Sequence, residues 1–394
     1  MIKSSKLTLP TIVVAQFCCT SLWFAGNAIL DDLIINYNLP ENSIASLTSI
    51  VQFGFISGTL LFAILTISDR FSPSKVFFTC AILGAFTNLL IIHSQNTFIS
   101  ILLLRFLTGF FLAGIYPVGM KIASDYYKKG LGKALGFLVG ALVLGTAFPH
   151  LLKDLNTGFP WKNVVIFISI LSILGGLLIL FLGDGKNRKQ SQQFNFSAFF
   201  DVFRNDDFRS AAFGYFGHMW ELYAFWAFVP VLIKMFANNN NIDLNIPLFS
   251  FLIIAIGALG CVVSGYLSLN FKTKKVAFYI LLSSFICCLI SPLIFQLKSS
   301  FIFLSFLFFW GFVVIADSPL FSTLVANNAE AKIKGTALTI VNCIGFAITI
   351  ISIQLLSILV SRFNTPMVFT LLAIGPLFGI LSLQVIKKKR SFLL

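Results

Sequence analysis

Charged and turn-forming clusters cut this 394-residue chain into twelve apolar runs of bilayer-crossing length. They lie at about 9–30, 43–67, 75–94, 97–120, 132–152, 162–182, 209–235, 246–269, 275–296, 299–325, 336–360 and 365–386. Backbone polar groups in lipid are satisfied only by helices or closed barrels. Barrel strands alternate apolar and polar residues, whereas these runs are uniformly apolar, so each is read as a helix. Composition closes the soluble alternative. Only 11% of residues are charged and 58% are apolar, against about 25% charged in soluble domains. Twelve spans leave no room for a large soluble domain. Lys3 and Lys6 precede the first run, which is span-length and lacks a small-residue cleavage site, so it reads as an uncleaved span.

The net charge of +14 suggests nucleic acid in a soluble protein; here topology explains it. With both termini on one side, that side carries 22 of the 28 Lys and Arg residues. The other side carries Lys153, Lys162, Lys234, Lys298 and Arg362. The positive-inside rule then places both termini in the cytoplasm. The 7 cysteines all fall in apolar stretches without disulfide or zinc spacing.

The longest loop follows the sixth run. Phe196, Phe199, Phe200 and Phe203 form an i, i+3, i+4, i+7 stripe there, which predicts a short amphipathic helix on the membrane surface. The expected organisation is an N-terminal six-helix bundle over 1–185, a linker over 186–208 and a C-terminal six-helix bundle over 209–394. The halves echo each other. Pro117 precedes Gly132-Lys133-Ala134-Leu135, and Pro319 precedes Gly335-Thr336-Ala337-Leu338. Internal duplication is a transporter signature.

Several motifs sharpen this. Asp69-Arg70-Phe71-Ser72-Pro73-Ser74-Lys75 joins spans 2 and 3, with Leu65 and Ser72 at places where glycine is usual. Gly265-Tyr266-Leu267-Ser268 is its counterpart in the second half, with Leu269 in place of an acid. Span 4 holds Arg105-Phe106, Gly109 and Gly114; span 5 holds Gly136, Gly140, Gly145 and Pro149. With these motifs the chain resembles the major facilitator superfamily of secondary transporters over essentially its whole length. The resemblance implies two pseudo-symmetric six-helix bundles, with spans 1, 4, 7 and 10 lining a central cavity. It also implies a gating role for Asp69 and Arg70. Independently, a carboxylate there can accept free N–H groups at a neighbouring helix N-terminus and act as a latch; the bland alternative is a cap on span 2. The span 5 pattern leans toward the family's antiporter branches, although Ala141 stands where they carry proline.

Few residues inside the spans ionise: Arg105, His218, Glu221 and Asp317. A charge at a helix centre costs about 2.5–3.5 kcal/mol on insertion scales and marks a site by default. They fall on spans 4, 7, 7 and 10. Span 1 adds Gln16, Thr20, Trp23 and Asn27 on one helical face. Counted from the helix ends, Arg105 and Asn27 lie in the outer half, Glu221 near the middle, and Asp317 and Gln16 in the inner half. Glu221, then Asp317 with His218, are the expected proton-coupling groups. Arg105 is either the counter-ion of one of these carboxylates or the binder of an anionic substrate; a static Arg–carboxylate pair is the structural alternative. Phe225 and Phe228 share the Glu221 face and can meet an apolar substrate part. Asn342 belongs to a span 11 stripe with Thr339, Phe346 and Thr349. His218-x-x-Glu221 has metal-ligand spacing but supplies two ligands only. His93 and His150 are read as interfacial residues.

The expected function is proton-coupled transport of a small solute, leaning to antiport, with uptake by symport of a small organic anion or metabolite as the alternative. The absence of a phosphate-binding Gly-rich loop argues against ATP-driven transport. An intramembrane enzyme would need a polar cluster near one interface, and a receptor-like scaffold would need no charges on spans 4, 7 and 10. Protons, a small molecule and lipids are the expected partners of a monomer in a bacterial inner membrane, with no cofactor, metal or nucleic acid.

Overall fold

The computed structural model describes residues 5–40, 43–127, 131–155, 160–185, 202–330 and 334–391, and among these residues it is helical with no strand. Among the described residues eleven helices are long and apolar enough to cross a membrane, and Leu7–Thr20 is a shorter apolar helix at the position of the first expected span. The chain divides into two compact units: Met1–Gln193 with Pro247–Phe251, and Phe194–Ile246 with Leu252–Leu394.

Span 1 departs from the expected single helix. It consists of α1 (Ser5–Thr20), α2 (Ala25–Ala28) and α3 (Leu30–Tyr37). The break has a local cause. Thr20 and Ser21 turn their hydroxyls onto the carbonyls of Gln16 and Cys18 at 2.8 and 2.6 Å, a back-bonding that weakens the helical ladder. Trp23 then donates its backbone N–H to Thr20 in a tighter i to i−3 turn. Asn38 ends α3 in the left-handed conformation. Tyr37 donates to the Ile91 carbonyl at 2.7 Å.

The first unit continues with α4 (Ser43–Ile64), the short α5 (Ile67–Arg70) and α6 (Pro73–Leu89). Pro73 opens α6 behind the Ser72 cap. Span 4 is α7 (Phe98–Leu112) and α8 (Tyr116–Tyr126), interrupted before Pro117. Thr97 and Ser100 form a capping box at its start. Spans 5 and 6 are α9 (Leu131–Leu155) and α10 (Trp161–Leu182).

In the second unit span 7 is α11 (Asp206–Asn240), capped by Asn205 and starting inside the segment expected as linker. Phe196, Phe199 and Phe200 lie outside the described residues. Phe203 sits in the turn before α11, its ring 5.5 Å from Phe208. Spans 8 and 9 are α12 (Ile246–Asn270) and α13 (Thr273–Gln296). Span 10 is α14 (Ser300–Ala316) and α15 (Ser318–Asn328), broken at Asp317. Span 11 is α16 (Lys334–Phe363); a 3-10 stretch, Pro366–Ala373, leads into α17 (Ile374–Ser391) as span 12.

The two units repeat one packing scheme, written in glycine. A Cβ on Gly109 would sit 2.1 Å from the Val51 carbonyl oxygen, and one on Gly311 would sit 2.1 Å from that of Ile253. Spans 2 and 4 thus approach as closely as spans 8 and 10. Gly145 lies against Thr20 and Phe17 of span 1, as Gly345 lies against Tyr215 and Met219 of span 7. Gly175 meets span 1 at Ala15, as Gly375 meets span 7 at Gly217. Small residues at crossings let backbones approach in lipid, where packing rather than hydrophobicity drives association. Outside these crossings, large apolar side chains such as Phe86, Ile99, Phe181 and Phe301 stay exposed, as a lipid-facing surface requires.

Candidate functional site

In the first unit, polar chemistry gathers at the span 1 break. Arg105 on α7 is fully buried. Its Nη1 donates to the Leu22 carbonyl at 3.1 Å and to Asn88 Oδ1 at 3.4 Å, and its Nη2 donates to the Trp23 carbonyl at 2.5 Å. The guanidinium thus takes carbonyls that the interrupted helix leaves free. Among the described residues these are its acceptors, and none is a carboxylate. The Trp23 ring lies 4.9 Å from that of Phe55 of α4, tilted by 48°. Asn27 donates to Thr48 of α4 at 2.7 Å. Gln16 lies with its amide against Gly119 of α8. The stripe expected on one straight face is therefore split: Gln16 turns toward span 4, and Asn27 toward span 2.

In the second unit two acidic groups sit one above the other. Glu221 is 1% exposed. Its Oε1 accepts from Ser284 Oγ at 2.6 Å, Trp310 Nε1 at 2.6 Å and Cys288 Sγ at 3.3 Å. Spans 7, 9 and 10 meet there. Phe225, one turn on, packs its ring 4.6 Å from Trp310 at a tilt of 36°, so it buttresses the ring that holds Glu221. Phe228 is buried against Phe369 instead. One turn the other way, His218 Nδ1 lies 2.8 Å from Asp317 Oδ1, with both side chains 1% exposed. Asp317 stands at the α14–α15 break as the helix N-cap, but its carboxylate makes no cap bond and turns to the histidine instead. Among the described residues no set of three His, Cys, Asp or Glu residues is placed to hold a metal ion.

The remaining candidates scatter. Asn342 is half-buried on α16, and Thr349 bonds to its own helix at Phe346. Arg70 is exposed, and the Asp69 side chain lies outside what the structure describes. A helix-terminus contact of the expected kind is made at the start of α6 by Asp184, which follows α10. Its Oδ1 accepts from the Ser74 backbone N–H at 2.9 Å and from the hydroxyls of Ser74 and Ser72 at 2.7 and 2.9 Å. Gly183 takes φ +78° to direct the chain there. Tyr126 of α8 donates to the carbonyls of Leu182 and Gly183, completing a clasp of spans 3, 4 and 6.

Sequence reasoning passed over Trp310, Ser284, Cys288 and Asp184. Trp310 and Asp317 are seven residues apart, and Ser284 and Cys288 four apart, so each pair shares a helical face. That spacing was the available signal.

Comparison with known proteins places this geometry. The family model of the Major Facilitator Superfamily matches residues 12–353. The chain belongs to the major facilitator superfamily. It is a transporter, not an enzyme, and an integral multi-pass membrane protein. The uncharacterized protein Cj0987c of Campylobacter jejuni is 23% identical over 291 residues, 72% of this chain and 88% of that protein. A crystal structure of a bacterial homolog to the human lysosomal transporter Spinster superposes with a TM-score of 0.68 at 15% identity. It covers 97% of this chain and 94% of its own; at that identity it speaks to the fold.

Proposed function

We propose that this superfamily member is a proton-coupled secondary transporter of a small solute, working by alternating access and leaning to antiport. Glu221 carries the coupling proton, and the His218–Asp317 pair serves as a second proton-holding group. The observation that carries this reading is the Glu221 cage. A carboxyl group is buried in a membrane bundle with three donors on one oxygen and no cationic partner among the described residues. Such a group is expensive unless function requires it. Three donors stabilise the ionised form, while burial favours the neutral one, so both protonation states are within reach. Membership of a transporter family supports the solute-moving role. The lean to antiport rests on the span 4 and span 5 motifs, and the inner-membrane setting with cytoplasmic termini rests on the charge bias.

Reconstitution in proteoliposomes tests the assignment. Glu221→Gln is expected to abolish pH-driven flux at undiminished protein yield; undiminished flux removes Glu221 from the coupling path.

A further inference from the structure

The span 1 break holds more polar capacity than the fold uses. Gln52 of α4 is fully buried, and neither its Oε1 nor its Nε2 has a hydrogen-bond partner. It lies one turn from Thr48, which bonds Asn27, and one turn from Phe55, which packs against Trp23. Gln52 therefore faces the broken segment. Asn27 spends its Nδ2 on Thr48, and its Oδ1 is buried without a partner. Arg105 spends Nη1 and Nη2 on carbonyls and Asn88, and its Nε is buried without a partner. Gly26 leaves that edge uncovered: a Cβ there would come within 3.2 Å of Nε.

Buried polar groups in proteins are almost always paired, and each exception calls for an explanation. Four such atoms, on Gln52, Asn27 and Arg105, fall on spans 1, 2 and 4, beside the kind of discontinuous helix that transporters use for binding. The unspent groups include the N–H of Arg105 Nε, a second N–H on its Nη2, the NH2 of Gln52, and two acceptor oxygens on Gln52 and Asn27. A carboxylate alone does not satisfy this set. It can accept from the Nε side of Arg105, but the two acceptor oxygens would face a group with no proton to give. A hydroxyl both donates and accepts, so neighbouring hydroxyls can meet both the donors and the acceptors.

We infer that the transported solute bears neutral hydroxyl groups, as a sugar or polyol does, and that Gln52, Asn27 and the Nε edge of Arg105 bind them at the span 1 break. This rests on the transporter reading but not on the proton assignment, and the test keeps the two apart. Ligands that bind the folded state raise its apparent melting temperature. Purified full-length protein in detergent is titrated with a panel of pentoses, hexoses, hexitols and glycosides, and separately with sodium lactate, malate and citrate. At least one neutral member of the panel should raise the melting temperature, and the carboxylates should not. Gln52→Leu removes an unpaired buried amide, so the unliganded variant should melt no lower than the parent, yet bind the active sugar or polyol at least tenfold more weakly. Asn27→Ala should weaken it in the same direction, and Gly136→Ala, with open space around it, should leave it unchanged. A shift from carboxylates alone, no shift from any neutral member, or full retention of the shift in Gln52→Leu overturns the inference. Loss of pH-driven flux in Glu221→Gln alongside a sugar shift in the parent would uphold both proposals. An intact sugar shift with undiminished flux would remove the proton assignment alone.

Discussion

At the residue scale, Glu221 and Arg105 meet the cost of burial by opposite means. Glu221 collects side-chain donors, whereas Arg105 collects main-chain acceptors. A hydrogen bond to a charged group is worth about 1.5–3 kcal/mol, and about 1.4 kcal/mol moves a titration by one pH unit. Removing the Trp310 donor disfavours the ionised carboxylate. Trp310→Phe should therefore move the half-maximal pH of coupled flux to the alkaline side by about one unit, as pH-jump assays on proteoliposomes would read. An unmoved profile would mean that the indole does not act on the carboxyl group. Arg105→Lys keeps the charge but cannot span the Leu22 and Trp23 carbonyls as a planar fork does. It should lower the melting temperature clearly; an unmoved melting temperature would mean that the two carbonyl contacts do not hold the broken helix. The ionisable residues were legible as candidates because charge inside an apolar run stands out. Their partners were not. Leu22 and Trp23 act through backbone carbonyls, which no side-chain pattern marks, and a lone tryptophan in a Phe-rich span reads as lipid-facing.

At the scale of the element, interruption does the positioning. Spans 1, 4 and 10 break at residues 21–24, 113–115 and 317, and each break lies on a helix that brings a candidate group. The sequence marked two of these with Pro117 and Pro319. Span 1 carries no proline at its break, so its hydroxyl-driven interruption was hidden inside a continuous apolar run. Asp184 shows the same limit: its partners at Ser72 and Ser74 lie about 110 residues away, beyond any local periodicity. Asp184→Ala should raise amide hydrogen exchange in the first turn of α6 and the last turn of α8, with little change in α4. Uniform exchange across the three would rule out a local clasp. The crossing glycines predict paired effects. Gly109→Val and Gly311→Val each force a side chain into a facing carbonyl, and each should lower the melting temperature substantially, whereas Gly136→Ala, with open space around it, should not.

For the whole molecule, duplication has kept the glycine scaffold and let the polar groups diverge. Asn88 of span 3 receives a bond from Arg105, and Cys288 of span 9 gives one to Glu221. The twelve-run count was visible because hydropathy alone determines it, whereas the two-bundle reading also needed the long central loop and the motifs repeated in each half. The charge bias predicts orientation as well: a fluorescent protein fused after Leu394 should fold and fluoresce in cells, while alkaline phosphatase at the same place should stay inactive. The reverse result would invert the topology.

The order of partners along the chain has a consequence for how the molecule is made. Every described acceptor of Arg105 precedes it: Leu22, Trp23 and Asn88 are already synthesised when span 4 emerges. Every described donor to Glu221 follows it, and so does the aspartate beside His218. The first half can hydrogen-bond its buried cation as it leaves the ribosome. The second half must shelter a carboxyl group through the synthesis of some ninety further residues, until Trp310 arrives.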